Sequence, residues 1–489
     1  MSSNSIMPAP KAAAPVSAYR FFLFYIVIVS ALGGFLFGFD SGVISGCEKA
    51  IQAEYKLDDF KHGFTVSIAL IGTLIGAFGI GRPADIMGRK LSLIIMAVMY
   101  FISAVGCAFA PDWWTLVIMR GLGGIAIGAS SVVVPLYIVE VAPGKIRGRL
   151  VALNQLNIVF GILISYVSNY YVAQAIDSQS IIWTWCERFA NMIVNDPMGA
   201  ESVKWRLMLG VEAFPAFLFF CLLFTIPESP RWLVRKGRKG ESLSILKAIG
   251  DGNAENTVEE ISATLQNASH GQNVPLFQKK YLFPIFLAWA VAMFNQLSGI
   301  NAINYYAPRI FEQFMGPSSA LAATIGLGAV NLTFTILALF FIDWFGRRAL
   351  LMFGAIGTTI MHFLAAWQLW LGADANPVIA ISAILGFIAF FAVSQGAVIW
   401  VFIAEIFPNA VRAKGQALGS FTHWFLCTLI SWAFPVVAGL SSNSGSYAFI
   451  FFGCMTMLQF FFAWLLMPET KGGTIESLEK KLNTDAIQK

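Results

Sequence analysis

The sequence predicts an all-α polytopic membrane protein of twelve transmembrane helices in two pseudo-symmetric six-helix bundles, and three observations carry that prediction. Of its 489 residues, 57% are hydrophobic and only 12% charged, with a mean hydropathy of +0.70; ordinary soluble domains carry about a quarter charged residues. The apolar residues collect into twelve segments, each near the ~20 residues that cross a hydrocarbon core. The polar punctuation between segments then repeats. Glu140, Pro143 and Arg147 follow the fourth segment, and Glu405, Pro408 and Arg412 follow the tenth at the same spacing. Asp85, Gly88, Arg89 and Lys90 after the second segment are matched by Asp343, Gly346, Arg347 and Arg348 after the eighth. Duplicated halves are a transporter architecture, with substrate held at the interface between them.

The predicted spans are 21–46, 64–81, 91–110, 113–136, 149–172 and 205–226, then 282–306, 320–342, 349–371, 378–404, 415–439 and 446–467. They divide the chain into an N-terminal tail (1–20), a first bundle (21–226), a polar linker (227–281), a second bundle (282–467) and a C-terminal tail (468–489). The first tail, rich in Ala, Pro and Ser, has a disordered composition. Within the linker, ESLSILKAIG and TVEEISATLQ space their apolar residues as amphipathic helices do, and GTIESLEKKLNT in the last tail looks similar. Such helices lie under the membrane and are expected to brace the two halves. Arg82, Arg89, Lys90, Lys145, Arg147, Arg149, Arg347, Arg348, Arg412 and Lys414 all fall in loops on one side. The positive-inside bias makes that side cytoplasmic, together with both termini, in a cell (plasma or inner) membrane.

Several classes are not supported. No phosphate-binding loop, metal-spaced His/Cys cluster or nucleophile elbow occurs, so neither an enzyme nor an ATP-driven pump is expected, and no cofactor or metal. The net charge of +5 reflects the loop bias, not nucleic-acid binding. Six cysteines make no disulfide framework, and only Cys47 and Cys186 fall on the outer side.

Asp40 is the one charge in the apolar run from Phe21 to Cys47. A carboxylate at membrane depth costs at least ~2.5 kcal/mol, so it marks a pathway or a partner. The loop acids Asp85, Glu140, Asp343 and Glu405 are not explained by membrane anchoring. Paired with Arg89, Arg147, Arg347 and Arg412, they are expected to latch the cytoplasmic ends of the helices when the cavity opens outward, and to release when it opens inward.

GRPADIMGRK (81–90), PLYIVEVAPGKIRGR (135–149), PESPRWL (227–233), NQLSGINAINYYAP (295–308) and PETKGG (468–473) stand in order along the chain. On these motifs the chain resembles the sugar porter family of the major facilitator superfamily, from the first helix to the tail. The resemblance implies the major-facilitator fold and a monosaccharide substrate. A sugar presents hydroxyls and apolar C–H faces, which amides and aromatic plates satisfy. Gln155, Asn295, Gln296 and Asn301 match the family's polar set, Trp400 and Trp424 its indoles, and His423 stands where relatives have an amide. Tyr305 and Tyr306 resemble its outer aromatic gate. Asp40 aligns with the acid of proton-coupled members, Arg120 with its partner, and Glu212 with a further acid in support.

Departures bear on which sugar is carried. Asn295 replaces the first of two glutamines, Ala397 replaces a proline, so that any kink in the tenth helix must rely on Gly396, and Ile162 replaces a glutamine of pentose carriers. The expected function is proton-coupled import of a monosaccharide, hexose over pentose, by a protein working as a monomer. A passive facilitator and a non-transporting sensor stand as alternatives.

Overall fold

In the computed structural model, structure is described for residues 16–143, 146–178, 184, 199–269, 274–408, 411–440 and 444–471. Among the described residues, twelve helices are long and apolar enough to cross a membrane: α1 (Phe21–Glu54), α2 (Asp59–Gly79), α3 (Arg89–Ala108), α4 (Trp113–Val141), α5 (Arg147–Asp177), α6 (Ala200–Leu223), α7 (Lys279–Phe311), α8 (Pro317–Ile342), α9 (Arg347–Asp374), α10 (Pro377–Glu405), α11 (Arg412–Ala438) and α12 (Gly445–Leu465). This is a multi-pass membrane protein. The two tails lie mostly outside the described residues, as does the amphipathic segment expected after Gly473.

α1 and α5 run past their predicted ends. The extra turns of α1 carry Glu48, Gln52 and Glu54, whose polar atoms all find partners, so the helix continues although its apolar run has stopped. Along α1, glycines recur at every fourth residue from Gly34 to Gly46. A Cβ on Gly38 would collide with the Ile158 carbonyl, and one on Gly42 with the Ser165 hydroxyl. The backbones of α1 and α5 touch there, the close approach that small residues permit between membrane helices.

Among the described residues three spans are divided: α6 at Val211 and Glu212, which keep helical backbone angles, and two at breaks that leave them. α7 divides at Ser298 and Gly299, with Gly299 at φ +78°, left-handed backbone in which an L side chain is strained. α10 divides at Ser394 (φ −117°, ψ −87°), whose hydroxyl bonds the Phe390 carbonyl at 2.6 Å. The sequence reading placed that flexure at Gly396. It falls two residues earlier because the serine caps the freed carbonyl itself.

The apolar core has three parts. On the basic side, each half has a core of its own: Leu93, Tyr137 and Leu223 belong to the first, Leu287, Phe402 and Met467 to the second. On the opposite side one core runs through both halves, uniting Phe39, Ile51 and Tyr166 with Tyr306, Phe311 and Phe434. The linker helices Lys239–Ala248 and Ala254–Ser269 insert Leu246, Ile249 and Val258 into the first half's core. They therefore pack on one half, where bracing between halves was expected.

Candidate functional site

Arg120 of α4 donates from Nη1 to Asp40 Oδ1 at 2.6 Å, and both side chains are almost wholly buried. Glu212 lies against this pair at the joint of α6, between helices Ala200–Gly210 and Ala213–Leu223. Asp40 Oδ2 and Glu212 Oε1 have no hydrogen-bond partner among the described residues. Two carboxyls share one guanidinium in a dry site, so the group is neutral when it carries one proton, and burying it charged is costly.

The sugar-type residues assemble mainly in the second half, around the break in α7. Gln296 is the hub. Its Nε2 lies 2.9 Å from Asn295 Oδ1 and 3.1 Å from His423 Nδ1, and its Oε1 accepts from Asn301 Nδ2 at 2.7 Å. Buried His362 of α9 holds the break, with Nε2 at 3.0 Å from the Ser298 carbonyl that it frees. Trp400 and Trp424 flank His423 at ring separations of 4.8 and 5.0 Å, and Trp424 also meets Phe37 of the first half at 5.7 Å. Gln155, on α5 of the first half, is half-buried and makes no hydrogen bond to another described residue. Tyr305 stands apart from this cluster, beside Ser41 and near Asp40. Tyr306 is fully buried, stacked on Phe434 and donating to the Ser431 carbonyl at 3.1 Å.

The loop charges pair, but within each half. Arg89 bonds Glu140 at 2.9 Å and Asp85 at 3.2 Å, and Arg347 bonds Glu405 at 2.9 Å. Arg147 and Arg412 turn back to the carbonyls of Ala142 and Phe407, and the Asp343 side chain lies outside the described residues. None of these described pairs bridges the two halves.

Two groups escaped the sequence reading. In PESPRWL, Glu228 accepts from the backbone N–H groups of Arg89 and Lys90, and Ser229 donates to Glu140 at 2.5 Å. In PETKGG, Glu469 does the same for Arg347 and Arg348, and Thr470 donates to Glu405 at 2.5 Å. Both acids cap a helix whose preceding glycine has positive φ, Gly88 (+94°) or Gly346 (+87°). The signal was the shared Pro-Glu-Ser/Thr after each half. Burial pushes the Glu228 carboxyl up despite its backbone donors. For Glu469 burial pushes the same way, but the donors of Lys471, Arg347, Arg348 and Thr470 outweigh it and hold the carboxyl below its ordinary value. The second missed group is Glu48, His62 and Arg309, which joins the halves on the side away from the basic loops.

A family model described as "Sugar (and other) transporter" matches residues 26–482. The chain belongs to the sugar porter family of the major facilitator superfamily. It is 36% identical over 495 residues to the D-xylose-proton symporter of Escherichia coli (strain K12), covering 94% of this chain and 95% of that protein. It is 34% identical over 472 residues to the glucose transport protein of Synechocystis sp., covering 94% and 97%. Among solved structures, this sugar porter superimposes on the inward-open xylose transporter XylE of E. coli with a TM-score of 0.79 at 35% identity, covering 94% and 100% of the two chains. Against XylE bound to 6-bromo-6-deoxy-D-glucose the TM-score is 0.72 at 34% identity, covering 94% and 99%. As a member of this family it is a transporter, not an enzyme.

Proposed function

We propose that this sugar porter imports a monosaccharide together with protons by alternating access, with the basic face and both termini on the cytoplasmic side of the plasma membrane. The separate cores on the basic side and the shared core opposite then correspond to an inward-facing state. The observation that carries the coupling is the buried Asp40–Arg120 pair with Glu212 beside it, separate from the uncharged amides that suit a sugar. While Arg120 holds Asp40, the carboxylate is stabilised as an anion; when the helices shift and it loses that partner, it takes a proton. Gln296, Asn301, Asn295 and His423 supply donors and acceptors for hydroxyls, Trp400 and Trp424 plates for the C–H faces, and Gln155 reaches from the other half. Closure of both halves on the sugar is what joins its movement to that of the proton.

The relatives' names include D-xylose and glucose, so they do not favour hexose over pentose as Ile162 did, and the proposal stays at monosaccharide. Both halves of the site lie in one chain, which makes a monomer sufficient. Reconstituted protein is expected to alkalinise the outer medium on sugar addition, and Asp40→Asn to abolish uphill uptake while sparing exchange down a gradient. Concentrative uptake by that variant at the parental rate would refute the coupling.

A further inference from the structure

Glu48 lies on α1 two turns beyond Asp40, on the face that meets the second half. It is 2% exposed, yet it is the centre of an ionic cluster. Arg309 of α7 grips it with two bonds, Nε to Oε1 at 2.9 Å and Nη2 to Oε2 at 2.7 Å, and also donates to Gln52 Oε1 at 2.6 Å. From α2, His62 places Nε2 2.7 Å from Glu48 Oε2, and His62 is 0% exposed. The arginine belongs to the second half; the acid and the histidine belong to the first. Lys49 pairs with Glu312 beside them and also crosses between the halves. The groups that face His62 are Glu48 from α1 and, from α7, Arg309 by way of Glu48 and the ring of Tyr306 at 6.0 Å. Among the described residues, α11, which also packs on α2, brings the neutral Ser431, Trp432 and Phe434 to this level, and α4 brings the neutral Trp113, which donates to Thr65, with Asp112 at its N-cap and Arg120, bound to Asp40, as its charged groups on this side.

Charge balance distinguishes the two states this cluster must visit. Closed, one carboxylate and one guanidinium already cancel, so a neutral imidazole, whose ring nitrogens make no hydrogen bond among the described residues, is the form that costs least beside Glu48, since a third charge would leave a buried excess of one. When the outer side opens, Arg309 leaves with the second half and Glu48 stays beside His62. The cheapest replacement for the lost positive charge is a proton on the imidazole, the side chain that titrates nearest neutrality. We propose that His62 and Glu48 form a second proton-binding site, apart from Asp40, that takes one proton from the outer medium as the outer side opens and releases it as Arg309 returns. External acid therefore favours the outward-facing state independently of Asp40. The inference rests on the alternating-access reading above, and it says nothing of which sugar moves.

The test reads conformation, not transport. Ser45 is buried on α1 one turn inside Glu48, on the same face. In full-length protein with its six native cysteines replaced and Asp40→Asn present to silence the first site, Ser45→Cys is labelled by a membrane-impermeant maleimide added outside. Cysteine labelling itself speeds up with pH, so each rate is normalised to that of an exposed outer control cysteine. Lowering the pH from 7.5 to 5.5 should raise the normalised rate at least ~10-fold, within the ~100-fold that one linked proton permits over two units. His62→Gln keeps a donor for Glu48 but cannot take the proton, and should abolish the rise; His62→Phe is a second variant with the same expectation, and melting curves report whether each is folded. Glu48→Gln removes the lock and should label fast at both pH values. A rise that persists in His62→Gln, a Glu48→Gln variant no faster than its parent at pH 7.5, or no labelling in any variant overturns the proposal. Sugar-driven alkalinisation by His62→Gln carrying native Asp40 separates the two readings: its loss together with an intact labelling pattern counts against the Asp40 coupling alone, and its survival with a failed labelling pattern counts against this site alone.

Discussion

The two ends of this molecule arrange their charges differently. At the basic end the charges are arranged within each half: Arg89 with Glu140, Arg347 with Glu405, each steadied by a serine or threonine and a capping glutamate. At the other end two pairs run between halves, Glu48 to Arg309 and Lys49 to Glu312, beside pairs within the first half such as Arg206 with Glu54, and the apolar core beneath them is unbroken. Ion pairs inside a half make it rigid whichever way it faces. Ion pairs between halves hold only one of the two states. A transporter needs both kinds, and the lesson is that a paired charge has to be assigned to a rigid body before its role is read.

The largest effect that would break this contrast is expected at the buried acid. Arg120→Met leaves Asp40 without its partner, a change of ~3–5 kcal/mol for a buried pair, and uphill uptake should fall to background in a vesicle assay. Adding Asp40→Asn to that variant should recover part of the lost melting temperature but none of the uphill transport. Next comes Gly63 of α2, where a side chain would run into the Trp432 carbonyl of α11 and so into the seam between the halves. Gly63→Leu should wedge the outer end apart, raising labelling from outside and lowering it from the basic side; equal labelling from both sides would show that the seam does not move there. Gln296→Ala removes the hub of the amide cluster, and the loss of one or two hydrogen bonds to sugar, ~1–3 kcal/mol, should raise the KM for uptake roughly 5- to 100-fold in a variant whose lowered melting temperature still leaves it folded at the assay temperature.

The smallest effect concerns the two caps. Glu469, with its carboxyl held low, contributes stability that is present above the unfolded value and is lost as pH falls through its folded one. Glu228, pushed up by burial, has the opposite sign: its contribution is full below the unfolded value and declines as pH rises through the folded one. On acidification Glu228 should therefore protonate first. Carboxyl infrared bands in Glu228→Gln and Glu469→Gln variants, followed from pH 7 to 4, should show the earlier step vanish in the first variant and the later one in the second.

Most of the fold was legible because the membrane imposes it: twelve apolar runs and two copies of one polar punctuation leave little choice. Asp40, Arg120 and the amides of α7 could be marked because each is a polar exception in an apolar run. The pairs between halves were not legible. Glu48 and Arg309 stand outside both copies of the repeat and are separated by most of the first half, the linker and nearly all of α7, so no spacing joins them, and Glu48 reads as the first charged residue after an apolar run ends. The break at Ser394 was misplaced for a related reason, since a serine bonding its own helix leaves no mark that glycine does not make more loudly.

The glycines that press α1 onto α5 carry a final consequence. Gly38 and Gly42 face backbone and side-chain oxygens of α5 with no room to spare, so those two helices form a single plank with one side already committed. Sequence change that retunes cargo has only the other side of α5 to work with, around Gln155. A library that randomises Gln155 and the cavity face of α11 together, and leaves the glycine column untouched, should return active carriers far more often than one spread evenly along the first half.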